Sequence, residues 1–355
     1  MTNLLNIAIA GATGTIGKEV LGMFAERNFP SSQIIALASS NSIGQEISYG
    51  EEKILKIQGL ENFDFQKAAL VIFCTPAAIS QKYMGKALAA NCRVIALADA
   101  TPAPANSLYV IPEVNGSLLV NHQTPVFLTP NPGAIMLALV LQPFMKNGGI
   151  TQAVVTLLQA VSGGGREAMD ELFTQTRAIY MNAIMQKRHF TKQIAFNLIP
   201  HIGEFTKEGG TEEEVNTLDQ LQQVFSSSLP LSVTCVQVPI FIGYAATIHL
   251  TLPRSFSLAE VKKLLEQSPG ISVVDHRRAE GYVTPVETAG EEAVFISRIR
   301  VSGNQVVFWI AADNLRRGAA LNIVQTAEKL LKQTPLIQEN KNILGKAKKI
   351  TSPKK

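Results

Sequence analysis

The chain has 355 residues, of which 46% are hydrophobic and 17% charged, a composition that suits a soluble protein with a large aliphatic core and enough length for two domains. Its net charge of +4 is carried in part by the last fifteen residues, "KNILGKAKKITSPKK", so the body is close to neutral and neither a nucleic-acid surface nor a membrane partner is expected. The three cysteines, Cys74, Cys92 and Cys235, form no CxxC pair, which argues against a disulfide framework or a metal cluster and fits a reducing cytoplasm.

The first 130 residues alternate between two patterns. "LNIAIAGATG" reads as a buried strand running into a glycine turn, with no basic region before it and too few apolar residues to cross a membrane. "TIGKEVLGMFAERNF" follows with helical periodicity. Strand-like "QIIALASS", "ALVIFCT" and "CRVIALAD" come next, the last of them after the helix-like "SQKYMGKALAAN". Continuous apolar strands separated by amphipathic helices predict a parallel sheet covered on both faces.

The character changes after "FLTPNPGAIML", residues 127–137, which reads as a strand, a Pro-Asn-Pro turn and an apolar helix. "ITQAVVTLLQAV", "SVTCVQVPIFIGY" and "ATIHLTL" alternate in the manner of antiparallel strands with one packed face. "GREAMDELFTQTRAIYMNAIM" is expected as one long helix, with apolar residues at 168, 169, 172, 179, 180 and 183. "SLAEVKKLLEQS" opens with Ser257 and, three residues on, Glu260, the pattern of a capping box. A last strand, a turn and a terminal helix end the pattern. The pattern predicts an α/β chain of two domains with a boundary near residue 130: a Rossmann-type parallel sheet, then an α+β domain with a mixed or antiparallel sheet.

In "AIAGATGTIGKEV" the residues Gly11, Gly14 and Gly17 are spaced G-x-x-G-x-x-G between a strand and a helix. Such glycines let backbone N–H groups, here those flanked by Thr13, Thr15 and Ile16, approach a pyrophosphate at the helix N-terminus. Close strand–helix packing alone would ask for the same glycines. After the second strand, where an acidic residue would select a free ribose or an arginine a 2′-phosphate, stand Ser39, Ser40, Asn41 and Ser42. These hydrogen-bond a ribose but do not neutralise a phosphate, so NADP or NAD is expected as cofactor without a choice between them.

Several stretches together resemble the aspartate-semialdehyde dehydrogenase family, in its order: "GATGTIGKEVL", "ERNFP", "LASSNSIGQ", "VIPEVNG", "LQAVSGGGREAMDEL", "FNLIPHIGEF", "VTCVQVPIF" and "WIAADNLRRGAALNIVQTAE". The resemblance runs over roughly residues 4 to 331. It implies a dinucleotide-binding domain over 1–130, an α+β dimerisation domain over 131–314 and a helix over 315–340 that returns to the first domain, ahead of a basic tail over 341–355. It also implies a homodimer and a reversible reduction of an acyl phosphate with a nicotinamide cofactor. In that reaction a cysteine forms a thioester, a histidine moves the proton, and arginines and a lysine hold carboxylate and phosphate.

Carried onto this chain, the nucleophile position is Pro132, in "PNPG". The carboxylate-clamping arginine becomes Gln237, the histidine becomes Tyr244 in "IGYAA", the phosphate-site lysine becomes Asn216, and the 2′-phosphate arginine becomes Asn41. "LADATPAPANS" lacks the arginine expected after the fourth strand, whereas Gln159 and Asn314 remain. A proline has no nucleophilic atom, a phenol titrates near about pH 10, and a glutamine carries no charge. No catalytic set is intact at the family positions Pro132, Gln159, Gln237 and Tyr244. The remaining candidates for the cleft are Cys235, expected as a core thiol, and Cys74, at the edge of the first sheet. His249 lies on the opposite face of its strand from Tyr244, about 17 Å away. His189 and His201 read as exposed or packed polar residues. The expectation is a dimeric homologue that is non-catalytic for the family reaction and has an interaction or sensing role. The alternative is an NAD(P)-dependent oxidoreductase acting on an aldehyde or oxo group, including the family's own activity in amino-acid biosynthesis.

Overall fold

The computed structural model describes residues 6–98, 106–120, 124–184 and 187–332. The first strand, β1 (Ile7–Ala10), leads through the glycine turn into α1 (Thr15–Glu26), and β2 (Ile34–Ala38) lies beside β1. A small hairpin, β3 (Glu46–Tyr49) and β4 (Lys53–Lys56), and the two-residue β5 (Gln58–Gly59) precede β6 (Leu70–Phe73). Then come α2 (Ala77–Ala89), β7 (Arg93–Leu97), β8 (Leu108–Tyr109) and β9 (Val126–Thr129). The sheet order is β5-β2-β1-β6-β7-β9-β8, and every pairing in it is parallel. Successive residues of β1 face opposite sides. Ile7 and Ile9 pack with Val20, Leu21 and Phe24 of α1, whereas Ala8 and Ala10 pack with Tyr83, Met84 and Ala87 of α2. Burial on both sides is why these strands are apolar throughout rather than alternating.

The next helix, α3 (Pro132–Lys146), is buried at every position from Gly133 to Phe144, as befits a helix that is apolar all round. It packs beneath a second sheet formed after it: β10 (Gln152–Ala160), then α4 (Gly165–Tyr180), α5 (Glu212–Phe225), β11 (Leu231–Val238), β12 (Tyr244–Thr251), α6 (Leu258–Glu266), β13 (Ile271–Val273), β14 (Val294–Ser302) and β15 (Gln305–Ala312). The order is β11-β10-β12-β15-β14-β13. This sheet is mixed: β10 pairs with β11, and β13 with β14, in parallel, and the other pairings are antiparallel. Alternation along a strand reports one packed face; it does not report direction. The long crossover through α4 and α5 is what turns β11 parallel to β10.

Two expectations on helices are corrected or refined. The helix from residue 165 ends at Tyr180, short of Ala183, because Asn182 takes a left-handed conformation (φ 50°). The amide of Ala183 donates back to the Ala178 carbonyl at 2.8 Å and that of Asn182 to the Ile179 carbonyl, the closure of a Schellman-type end. The Ser257–Glu260 box caps α6 in both directions, with Glu260 N–H donating to Ser257 Oγ and Ser257 N–H to the Glu260 carboxylate.

After β15 the chain makes a π-turn over residues 316–320 and enters α7 (Leu321–Lys332). Ile323, Val324 and Ala327 of α7 pack against Ile7 and Ile9 of the first sheet. The segments 333–340 and 341–355 lie outside the described residues. Arg316, in the π-turn, is ion-paired with Glu19 and Glu26 of α1 and with Glu292, which fastens the start of α7 to the helix that follows the glycine turn.

Candidate functional site

The glycine turn is tightly packed between β1 and α1. Gly11 has φ 83°, and a Cβ there would lie 2.5 Å from the Cys74 carbonyl oxygen; a Cβ on Gly17 would lie 2.1 Å from the Gly11 oxygen. Close packing thus accounts for these two glycines, and it brings the backbone to the N-terminus of α1. Gly14 is the N-cap of α1, and no acidic residue occupies its first turn, so the positive end of the helix stays uncompensated. Thr13 and Thr15 flank it half-buried. Ser39 and Asn41 are exposed at the C-terminal end of β2. These residues fit a dinucleotide, held through backbone amides and hydroxyls.

A cleft of about 190 Å³ opens between the C-terminal ends of the first sheet and the second sheet. Ile16 of α1, Pro132, Gln159, Gln237, Tyr244 and Asn314 all line it. Residues separated by nearly three hundred positions are brought together by α3 and by the ends of β10, β11, β12 and β15. Gly11, Gly14, Ser39 and Asn41 are not part of its wall, whereas Ile16 joins the glycine turn to it.

The amides of the wall are bonded within the protein. Asn131, the N-cap of α3, accepts from Ala134 N–H at 2.7 Å and donates to Thr217 Oγ1 at 2.9 Å, while its own N–H donates to Gln220 of α5 at 2.6 Å. Pro132 is therefore the N1 residue, where proline's missing N–H costs the helix nothing; a Cβ on Gly318 would come within 2.7 Å of the Pro132 Cβ. Gln159 Nε2 donates to Glu213 at 2.9 Å, and Gln237 Nε2 donates to the Gln159 carbonyl at 2.7 Å. Asn314 accepts from Gly243 N–H at 2.9 Å and is bonded to Ser162 Oγ. Tyr244 is 3% exposed, and its phenol lies over Gly163, where a Cβ would be 2.1 Å from the phenol oxygen.

None of the described residues lining the cleft is an arginine or a lysine, and "DATPAPA", residues 99–105, adds none by sequence. Asn216 is exposed and is not in the wall. The thiols are held protonated. Burial pushes Cys74 up to about 12 and raises Cys92, which donates to the carbonyls of Phe65 and Ala68. Cys235 is raised by burial first and then by the negative charges of Glu213 and Glu214. None offers a thiolate near neutral pH.

Two residues of the wall were missed in the sequence. Glu213 is at the start of α5, inside the Thr211–Glu214 capping box, and that box was the available signal. His189, read as an exposed or packed polar residue, is exposed and yet reaches the lip of the cleft, where its ring lies against Gly164. His249 is on the other face of β12, beside Arg298 and Trp309, and His201 stacks near Phe205; neither meets the cleft.

Residues 6–122 match the family model for the semialdehyde dehydrogenase NAD binding domain, and residues 141–317 match the one for the semialdehyde dehydrogenase dimerisation domain. The aspartate-semialdehyde dehydrogenase of Rickettsia bellii is 39% identical over 336 residues, which are 94% of this chain and 99% of that protein. This chain belongs to the aspartate-semialdehyde dehydrogenase family. The Bacillus subtilis enzyme of that name is 32% identical over 343 residues, 92% of this chain and 98% of its own. Among solved structures, aspartate semialdehyde dehydrogenase II from Vibrio cholerae superposes with a TM-score of 0.87 at 32% identity, covering 93% of this chain and 99% of that one. Membership brings a nucleotide-binding domain and a dimerisation domain. Among the described residues no helix is long and apolar enough to cross a membrane.

Proposed function

We propose that this family member does not carry out acyl-phosphate reduction, and that it acts as a homodimer with a nucleotide-binding domain in an interaction or sensing role. The observation that carries the reading is Pro132. It stands at the N1 position of α3 in the wall of the cleft, where the family resemblance puts the nucleophile. Its side chain has no atom that attacks a carbonyl, and its ring leaves no N–H at that point. The rest of the wall supports the same reading. Gln237 is turned onto a backbone carbonyl, Tyr244 occupies the place of the base, and no described lining residue is a guanidinium or ammonium to hold a phosphate or carboxylate. This reading departs from the activity in its relatives' names. The division into residues 1–130, 131–314 and 315–340 belongs to the same proposal.

A second reading has its own observation. Tyr244, Asn314 and Ile16 line one cleft, so a nicotinamide held by the glycine turn would meet a phenol and an amide, and hydride would pass directly to a carbonyl or imine carbon. The two readings separate in one experiment. Purified protein is incubated with aspartate semialdehyde, phosphate and NAD or NADP, and then with NADH or NADPH and a panel of carbonyl compounds. The first reading expects no turnover in either arm; cofactor reduction with aspartate semialdehyde and phosphate refutes both, and NAD(P)H oxidation by a carbonyl compound establishes the second.

A further inference from the structure

We propose that the adenosine end of the nucleotide site selects NAD(H) over NADP(H). This rests on the reading that the glycine turn holds a dinucleotide. The end of β2 is fixed directly beside that turn, because the amides of Gly11 and Ala12 both donate to the Leu37 carbonyl, at 2.9 and 3.1 Å. A ribose attached to a pyrophosphate at the α1 N-terminus therefore lies over the residues that leave β2, as in other doubly wound sheets.

Those residues are Ser39, in extended conformation, and a tight turn over Ser40–Ser42. The backbone of this loop is largely engaged within itself. Ser42 N–H donates to Ser39, Ile43 to Ser40, Gly44 to Ile57 and Gln45 to Ser42, and the Gln45 side chain donates to the Asn41 carbonyl. Hydroxyls, the Asn41 side-chain amide and the main-chain N–H groups outside these bonds are what remain for a ligand, all of them uncharged. They suffice for a ribose diol, which needs only neutral hydrogen bonds. A 2′-phosphate brings a charge of roughly −1.5 to −2, and its usual partners are guanidinium or ammonium groups.

The loop that leaves β2 holds no such group itself, and the next lysines along the chain, Lys53 and Lys56, lie on β4, where Lys56 is in register with Glu46. From Gln33 to Glu52 the sequence contains no lysine or arginine, and it does contain Glu46, Glu51 and Glu52. The neighbouring loop after β6 has none from Ala68 to Gln81 either; there Thr75 and Ser80 bond each other at 2.8 Å. The first lysine beyond it, Lys82, lies over the Tyr83 ring. A 2′-phosphate here would lose water and gain no countercharge from the residues that leave β2 or β6.

The test is calorimetric titration of the full-length protein with NADH and NADPH, at low and at raised ionic strength, for the native chain and for Asn41→Arg. Asn41 is exposed, so the variant's fold is undisturbed, and thermal unfolding checks that. NADH is expected to bind at least about tenfold more tightly than NADPH. Asn41→Arg is expected to raise NADPH affinity by roughly 10–100-fold, and to make that affinity fall with salt while NADH affinity does not. NADPH binding as tight as NADH in the native chain overturns the inference and leaves dinucleotide binding standing. An unchanged NADPH affinity in Asn41→Arg overturns the placement of the ribose. Binding of neither nucleotide to either protein overturns the dinucleotide reading itself.

Discussion

The phenol of Tyr244 and the glycine at 163 are matched to each other, and the match is measurable. A methyl group at 163 would lie 2.1 Å from the phenol oxygen and 3.3 Å from Cζ. In Gly163→Ala the phenol, 3% exposed and walled by β12 and the turn at 161–164, has to be displaced, and overpacking of this kind costs about 1–3 kcal/mol. Tyr244→Phe removes the oxygen and leaves Cζ as the nearest ring atom, a contact that a shift of a few tenths of an ångström relieves. The phenylalanine variant alone costs about 0.5–1.5 kcal/mol, the usual cost of deleting one buried polar group. The double variant is then more stable than the sum of the two, with a coupling of about 1–2 kcal/mol. Urea unfolding followed by the fluorescence of Trp309, the single tryptophan, on β15 of the same sheet, gives the four stabilities. A neutral Gly163→Ala, or one equally costly with and without the phenol oxygen, would refute the placement of Tyr244 over Gly163 and with it the reading of Tyr244 as a wall of the cleft.

Three further outcomes follow from the site. Asn131→Ala removes an N-cap acceptor and a buried bond to Thr217 and is expected to destabilise by about 1–2 kcal/mol in the same assay; no change would show that α3 does not depend on this cap. The combined substitution of Pro132 by Cys, Gln237 by Arg and Tyr244 by His is expected to leave acyl-phosphate reduction undetected, since the cleft still has no phosphate clamp; full turnover would show that three positions alone hold the loss. Alkylation by iodoacetamide should be slow through pH 9, because burial holds the Cys74 thiol near 12 against about 9 in the unfolded chain. Between those values the unfolded thiol ionises and the folded one does not, so stability is full below pH 9 and declines as pH rises toward 12; rapid labelling of native protein at pH 7 would contradict this.

The sequence by itself determined the elements and the family. Apolar runs such as "IAIA" and "LVIF" become strands buried on both faces, the Ser257–Glu260 box starts a helix, and three glycines at fixed spacing turn a strand into a helix N-terminus. Each of these is a local requirement of backbone geometry or of side-chain period, which a linear string records. That Pro132, Gln237 and Tyr244 carry no charge was legible in the same way, position by position; the roles of those positions are what the resemblance implies.

Only the tertiary structure decided which groups share a cleft and in which direction strands run. Alternation in "TQAVVTLLQA" marks one buried face, yet the parallel pairing of β10 with β11 depends on the crossover between them. The end of α4 turned on a single left-handed asparagine, Asn182, a conformation that neighbouring apolar residues do not announce. Glu213 and His189 reach the cleft because α5 docks on α3 through Thr217 and Gln220 and because Glu171 accepts from the amides of Arg188 and His189. These contacts join residues far apart in the chain, and periodicity, which is a property of near neighbours, has no means of expressing them.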